Sequence, residues 1–314
     1  MIRLILTRLI SSVGIFIALS ILIFLLMYLV PGSVAVIILD DAATPENIAK
    51  LEAELGLDDP LPTQYARWIV NVSKGDFGTS FLNGRPVRDD IIEKFPVTLW
   101  LLIGALVIAV VFGLSVGILA SLKPGSLLDR SSVLLVTLGI SIPNFWLAVL
   151  LSMLFAVKLG WLPVFGYTPI TEDPILWFKS MLLPWFSLGI VSSTLIARQM
   201  RGAMIEVLNT DYVRAARASG IPEHWVVISN GIKNAMIPVI TVIGFQVPVI
   251  IGGSLIIELV FATPGLGSLT IQSVLDQDLP IVQAVLMVMA SLVILTNLVI
   301  DISYGWLNPK MRVL

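Results

Sequence analysis

Cysteine is absent from all 314 residues, which excludes disulfides, thiolate metal sites and iron–sulfur clusters. Histidine occurs once, as His224, so no multi-histidine metal site can form. Charge is scarce: 13% of residues are Asp, Glu, Lys or Arg, against about 25% in a soluble domain. Hydrophobic residues make up 57% of the chain, and the mean hydropathy is +0.98. The chain is therefore read as an all-α integral membrane protein. A net charge of −2 gives no case for nucleic-acid binding. No G-x-x-x-x-G-K-S/T phosphate loop, G-x-S-x-G, H-E-x-x-H or paired intramembrane carboxylate occurs. No catalytic residue and no metal site is assigned. Uphill transport would need energy from a partner or from an ion gradient.

What is present is a series of long uncharged runs. A membrane-crossing helix needs ~20 mostly apolar residues. Six segments qualify: Leu9–Val30, Phe95–Leu122, Ser131–Val157, Ser180–Ala197, Asn234–Ile257 and Leu279–Ile300. The first run is too long for a signal peptide and lacks a small-residue cleavage site, so it is expected to stay as an anchor. Orientation follows from the basic residues of short loops. An N-terminus in the cytoplasm puts Arg3, Arg8, Lys123, Arg130, Arg198, Arg201, Arg214, Arg217, Lys233, Lys310 and Arg312 inside, against Lys158 and Lys179 outside. Both termini are thus expected in the cytoplasm.

Segment 31–94 then lies outside as a small polar insertion. ATPENIAKLEAELGL predicts an amphipathic helix near 45–55, with Thr44 as N-cap, Pro45 in the first turn and Gly56 near the end. Pro60, Pro62, Gly75, Gly78 and Gly84 break the remainder into turns and short elements. The segment is too short to bury much core alone, so it is expected to pack on the membrane portion or on a partner.

Residues 210–238, TDYVRAARASGIPEHWVVISNGIKNAMIP, interrupt two apolar spans with a polar, basic stretch. Thr210 or Asp211 can cap a helix running to Ser219. Gly220 supplies a left-handed stop, and Pro222 with Glu223 starts a second short helix. Ala215, Ala216 and Ala218 allow another surface to approach closely, and Tyr212, four residues before Ala216, is a bulky anchor. Arg214 and Arg217 lie one turn apart, placed either to meet acidic groups of a partner or only to set topology.

This loop resembles the EAA loop of permease subunits in ATP-binding-cassette importers, and the resemblance extends along nearly the whole chain. LGLDDPLPTQY (55–65), GDFGTS (75–80), GRPV (84–87), LDR (128–130), ISIPNFWLAVLL (140–151), LGWLPVFGY (159–167), ARQMRGAMIEVLNTDYVRAARASG (197–220), KNAMIPVITVIGFQ (233–246) and ELVFATPGLG (258–267) follow the order of the dipeptide/oligopeptide branch. Ser219, Thr263 and Arg214 depart from the lysine, tryptophan and glutamate usual at those places, and Pro31-Gly32-Ser33-Val34-Ala35 departs from the usual PGDPA.

The resemblance implies a type I importer permease fold with six transmembrane helices and an extracytoplasmic insertion after the first. Its divisions are 1–30, 31–94, a core 95–305 with coupling loop 199–238, and a tail 306–314. It implies a bacterial or archaeal plasma membrane, a second homologous permease subunit, two cytosolic ATP-binding subunits and an extracytoplasmic solute-binding protein. ATP and Mg would be bound by those partner ATPases, with no cofactor in this chain. The solute would be a di- or oligopeptide, with glutathione, a nickel chelate or an opine-like compound as alternatives. ATPase coupling falls on Asp211, Tyr212, Arg214, Ala215, Ala216, Arg217 and Gly220.

Glu258, near the outer end of the fifth span, has two readings: a functional intramembrane acid, or an interfacial carboxylate capping the following FATPGLG turn, which is preferred. With Phe261, Pro264, Gly265 and Gly267 it forms a candidate outer gate or turn. Asn144, Gln246 and Asn297 are polar groups within spans, either lining a path or bonding between helices. Trp161, Tyr167 and Trp177 fit an interfacial aromatic belt, and Asp301 is read as structural. The rival class is an ion-gradient secondary transporter, which calls for inverted repeats or midplane carboxylates. A membrane scaffold is a third reading.

Overall fold

The computed structural model describes residues 2–28, 34–39 and 43–307. Pro31-Gly32-Ser33 and most of the 306–314 tail lie outside the described residues. The elements are α1 (Ile2–Leu25), α2 (Val34–Leu39), α3 (Pro45–Leu55), α4 (Leu61–Ser73), α5 (Val87–Leu122), α6 (Leu127–Ser141) and α7 (Asn144–Leu151), then α8 (Pro174–Leu208), α9 (Asp211–Ala218), α10 (Glu223–Trp225), α11 (Lys233–Val260), α12 (Leu266–Leu275) and α13 (Leu279–Leu307). A π-helical stretch, Ser152–Lys158, continues α7.

Among the described residues five helices are long and apolar enough to cross a membrane: Leu6–Tyr28, Val87–Leu122, Pro174–Leu208, Glu223–Val260 and Leu279–Ile302. The run read from sequence as one span, Ser131–Val157, is broken. Helices Leu127–Ser141 and Asn144–Lys158 meet at 104°. Pro143 has no N–H to continue the helix and disfavours helical backbone at Ile142, which is extended at φ −89°, ψ 123°. Counting this bent pair as one crossing gives six.

The core is built on α8, which packs along α5 on one side and α11 on the other. The α5 face is a ladder of small residues four apart: Ala105, Ala109, Gly113 and Gly117. Gly189, Ser193 and Ala197 form a matching row on α8. A Cβ on Gly113 would lie 2.7 Å from the Ile196 side chain and 2.9 Å from the Ser193 carbonyl oxygen. One on Gly117 would lie 2.7 Å from the Ala197 carbonyl oxygen. In lipid, where apolar surface is already solvated, this close backbone approach and its dispersion contacts drive helix pairing.

At one end of the seam Asp129 of α6 is buried and bonded to Arg201 of α8, whose Nη2 lies 2.8 Å from Oδ2. Gly125 N–H donates to the same carboxylate at 2.8 Å. At the other end Trp185 Nε1 donates to the Trp100 carbonyl at 2.9 Å. Trp177 stacks edge-on to both Trp100 and Trp185. It is therefore part of an indole cluster and not a free belt residue, whereas Trp161 is exposed.

α1 packs along α13 and carries the insertion on its C-terminal end. Thr44 accepts from Asn47 N–H, and Gly56 is left-handed at φ 67°, so α3 occupies the predicted 45–55. Tyr65 of α4 shares a 2.7 Å hydrogen bond with Ser20 of α1, and Phe24 packs against Tyr28, Tyr65 and Trp68. Further along, Ser80 Oγ and Phe81 N–H both donate to Asp278, just before α13. Arg8 and Asp301 pair at 3.3 Å where the other ends of α1 and α13 meet.

Candidate functional site

The polar stretch between α8 and α11 forms a compact hairpin. Asn209 ends α8, with its N–H on the Glu206 carbonyl. Thr210 is the extended N-cap of α9, but its hydroxyl turns back to the Val207 carbonyl at 2.6 Å and does not cap. Gly220 has φ 78°. Ile221 N–H reaches the Ala216 carbonyl and Gly220 N–H the Arg217 carbonyl, which is a Schellman stop.

The second helix is not a separate short one. After Pro222 the chain runs through Glu223–Trp225 and a π-helical stretch, Val226–Ile232, directly into α11, so that Glu223–Val260 is one rod. Gly231 in the π-helical stretch sits against Met204 and Leu208 of α8. An added Cβ there would come 3.1 Å from Met204 Cε.

α9 presents two faces. Val213 is fully buried, and Ala216, three residues on, packs beside it against the cluster of Met200, Met204, Leu208, Val226 and Ala235. Asp211, Ala215, Ala218 and Ser219 stand outward, flanked by Tyr212 and Arg214. Of the three alanines expected to meet a partner, Ala216 therefore turns mainly inward. The helical period decides this, because residues three and four apart share a face.

The two arginines already have partners within the hairpin. Arg217 donates to the Glu223 carboxylate, with Nη2 2.7 Å from Oε1 and Nε 3.1 Å from Oε2. Its Nη1 donates to the Leu208 carbonyl at 3.2 Å. One guanidinium thus ties the end of α8, the body of α9 and the start of α10. Arg214 pairs with Asp211 at 3.3 Å on the exposed side. The Tyr212 hydroxyl accepts from Asn234 Nδ2 at 3.1 Å, bracing α9 against α11.

At the far end of α11, Glu258 is fully buried within the bundle, and its carboxylate caps the turn that follows it. Its carboxylate accepts from Thr98 Oγ1 of α5 at 2.7 Å and from Ser268 N–H of α12 at 2.9 Å. Thr98 Oγ1 in turn accepts from Leu266 N–H at 2.8 Å. The ATPGLG turn folds around this acid: a Cβ on Gly265 would fall 2.5 Å from its carboxyl carbon, and one on Gly267 2.9 Å from Oε2. Phe261 is buried, and its carbonyl accepts from Gly166 N–H at 3.0 Å; Pro264 is exposed. Glu258 thus joins three helices as a polar knot inside an apolar bundle. Thr98 carried no sequence signal of this, being 160 residues away.

The three polar pathway candidates do not form one group. Asn144 begins α7 at the 142–143 break, with Nδ2 2.9 Å from where a Cβ on Gly253 would be. Gln246 lies seven residues before Gly253 on the same face of α11, buried, with no hydrogen-bond donor to Oε1 among the described residues. Asn297 lines a different cleft, between α1, α11 and α13, with Ser11, Thr241 and the Arg8–Asp301 pair. Among the described residues no group of three or more His, Asp or Glu is placed to hold a metal.

A polar hairpin between two long spans, closed by a glycine stop and presenting small residues outward, is joined by a full-length match to a known family. The model for "Binding-protein-dependent transport system inner membrane component" matches residues 109–313. Its N-terminal companion matches residues 1–102. This chain belongs to that family. A peptide transport system permease of Brucella abortus (strain 2308) is 39% identical over 312 residues, covering 99% of each chain. The glutathione transport system permease protein GsiC of Salmonella paratyphi A is 40% identical with the same coverage. In fold this permease is similar to the MetNI methionine ABC transporter solved in inward-facing conformations. The TM-score is 0.58 at 20% identity, over 70% of this chain and 96% of that one. The fold is that of the type I importer permeases, and the protein is a transport component of a binding-protein-dependent ABC system.

Proposed function

We propose that this permease forms half of a translocation path for peptides or a peptide-like solute, and that α9 is its coupling element. The full-length relatives named for peptide and glutathione transport support the solute class. The outward face of Asp211, Ala215, Ala218 and Ser219 on a hairpin braced by Arg217 carries the coupling reading. Small residues let a second surface approach the helix, while Val213, Ala216 and the Arg217–Glu223 pair transmit its movement to α8 and α11 as one body. Two cytosolic ATP-binding subunits would hold ATP and Mg and press on α9. A second homologous permease would complete the path, and an extracytoplasmic binding protein would deliver the solute. No covalent chemistry takes place in this chain.

The same reading puts α9 and both termini in the cytoplasm and α3 and α4 outside, in a bacterial or archaeal plasma membrane, as the bias of basic residues favours. The test is ATP hydrolysis by the assembled complex, stimulated by loaded binding protein. Ala218→Trp is expected to abolish stimulation while the permease still inserts and folds. Full stimulation with full assembly would sink the coupling role of α9. Thermal shift of the cognate binding protein with dipeptides, longer peptides and glutathione decides the solute.

A further inference from the structure

A cleft of about 440 Å³ lies between α5, α6 and α8, beside the small-residue seam and away from α9. Its walls include Val116, Ser132, Val136, Thr137, Ile140 and Arg198. Arg201, at its rim, is engaged by Asp129. Arg198, almost one turn further from the hairpin, is exposed and has no carboxylate partner among the described residues. An exposed guanidinium at the end of a span attracts anionic headgroups.

The surroundings specify the anion's character. No Asp or Glu is among the described residues that line the cleft, and Asp129 beside it is neutralised by Arg201. Arg130 lies on the same α6 stripe as Val133, Thr137 and Ser141 by the helical period, and Lys123 ends α5. The excess charge is therefore positive, at the end of the spans where a headgroup would sit. Below it the cleft is walled by Val116, Val136 and Ile140, which match an acyl chain. The Thr137 hydroxyl donates to the Val133 carbonyl and keeps lone pairs free to accept.

We infer that this cleft binds an anionic phospholipid, its phosphate on the Arg198 guanidinium and one acyl chain along the valine and isoleucine wall. Arginine suits this because its planar fork matches phosphate oxygens. A bound lipid would wedge α6 against the α5–α8 pair.

The test is native mass spectrometry of the full-length permease, extracted from vesicles of phosphatidylcholine with or without phosphatidylglycerol. The wild type is expected to retain phosphatidylglycerol in preference to phosphatidylcholine. Arg198→Gln is expected to weaken retention roughly tenfold, the order of one charge-assisted hydrogen bond, while Arg198→Lys keeps most of it. Val136→Trp, which fills the cleft and leaves every charge in place, is expected to remove retention as well. Circular dichroism confirms that each variant is folded. Equal retention of both lipids, unchanged retention in Arg198→Gln, or displacement of the lipid by a peptide carboxylate would overturn the inference. None of these readouts depends on transport.

Discussion

Thr98 on α5 and Glu258 on α11 are bonded at 2.7 Å, and the Thr98 hydroxyl simultaneously receives the Leu266 N–H that opens α12. One threonine and one carboxylate thereby hold three helices that are distant in sequence. Glu258→Ala would leave Ser268 N–H and Thr98 Oγ1 without their acceptor in a buried site. The expected loss is about 1–3 kcal/mol, read as a lower thermal midpoint in detergent. A double-mutant cycle with Thr98→Val should show coupling. Strict additivity of the two losses would contradict the knot.

Two glycines allow a direct comparison, Gly113 on the α5–α8 seam and Gly252 on α11. Gly113 meets Ile196 and the Ser193 backbone, whereas a Cβ on Gly252 meets nothing within 4 Å. Gly113→Ala is expected to destabilise by about 1–3 kcal/mol through overpacking. Gly252→Ala should be neutral or slightly stabilising, since it relieves helix-interior glycine. Thermal unfolding of the two variants side by side checks this.

Substitutions on α9 should separate by face. Ala216→Asp places a carboxylate beside Val213 and the Met204 cluster, so it is expected to loosen the hairpin itself. Faster amide hydrogen exchange over 211–220 would report that. Ala218→Asp faces outward and should leave exchange unchanged while ATPase stimulation falls. Gly220→Val forces a branched residue to φ 78°, at a cost of about 1–2 kcal/mol, and should fray α9 from its C-terminal end.

Breaking the Asp129–Arg201 pair should be more damaging than breaking Arg214–Asp211. Asp129 is 3% exposed while the Arg201 side chain is 31% exposed, and leaving the buried carboxylate without its donor costs about 1–3 kcal/mol. The exposed pair is worth about 0–1 kcal/mol. Arg201→Ala against Arg214→Ala in a chemical-unfolding series measures the difference.

Native cysteine is absent, so single cysteines can be introduced without background. Lys50→Cys and Asp211→Cys are expected to react with impermeant maleimide from opposite sides of sealed vesicles. Labelling of both from one side would refute the proposed topology.

The sequence by itself determined what depends on neighbours a few residues away. Uncharged runs located the apolar segments because span length is set by bilayer thickness. Thr44, Pro45 and Gly56 placed α3, and Gly220 placed the end of α9, because caps and left-handed turns are local. Tertiary structure decided the rest. Ser131–Val157 read as one uncharged span, and the structure breaks it at Pro143 into two helices meeting at 104°. Periodicity puts Ala216 opposite Ala218, yet which side is inward depends on where Met204 and Val226 lie. That Glu258 caps the turn after it was legible from its place in the chain, whereas Thr98, 160 residues away, was not. A buried charge is tolerated only by partners brought from distant segments, and no local pattern encodes them.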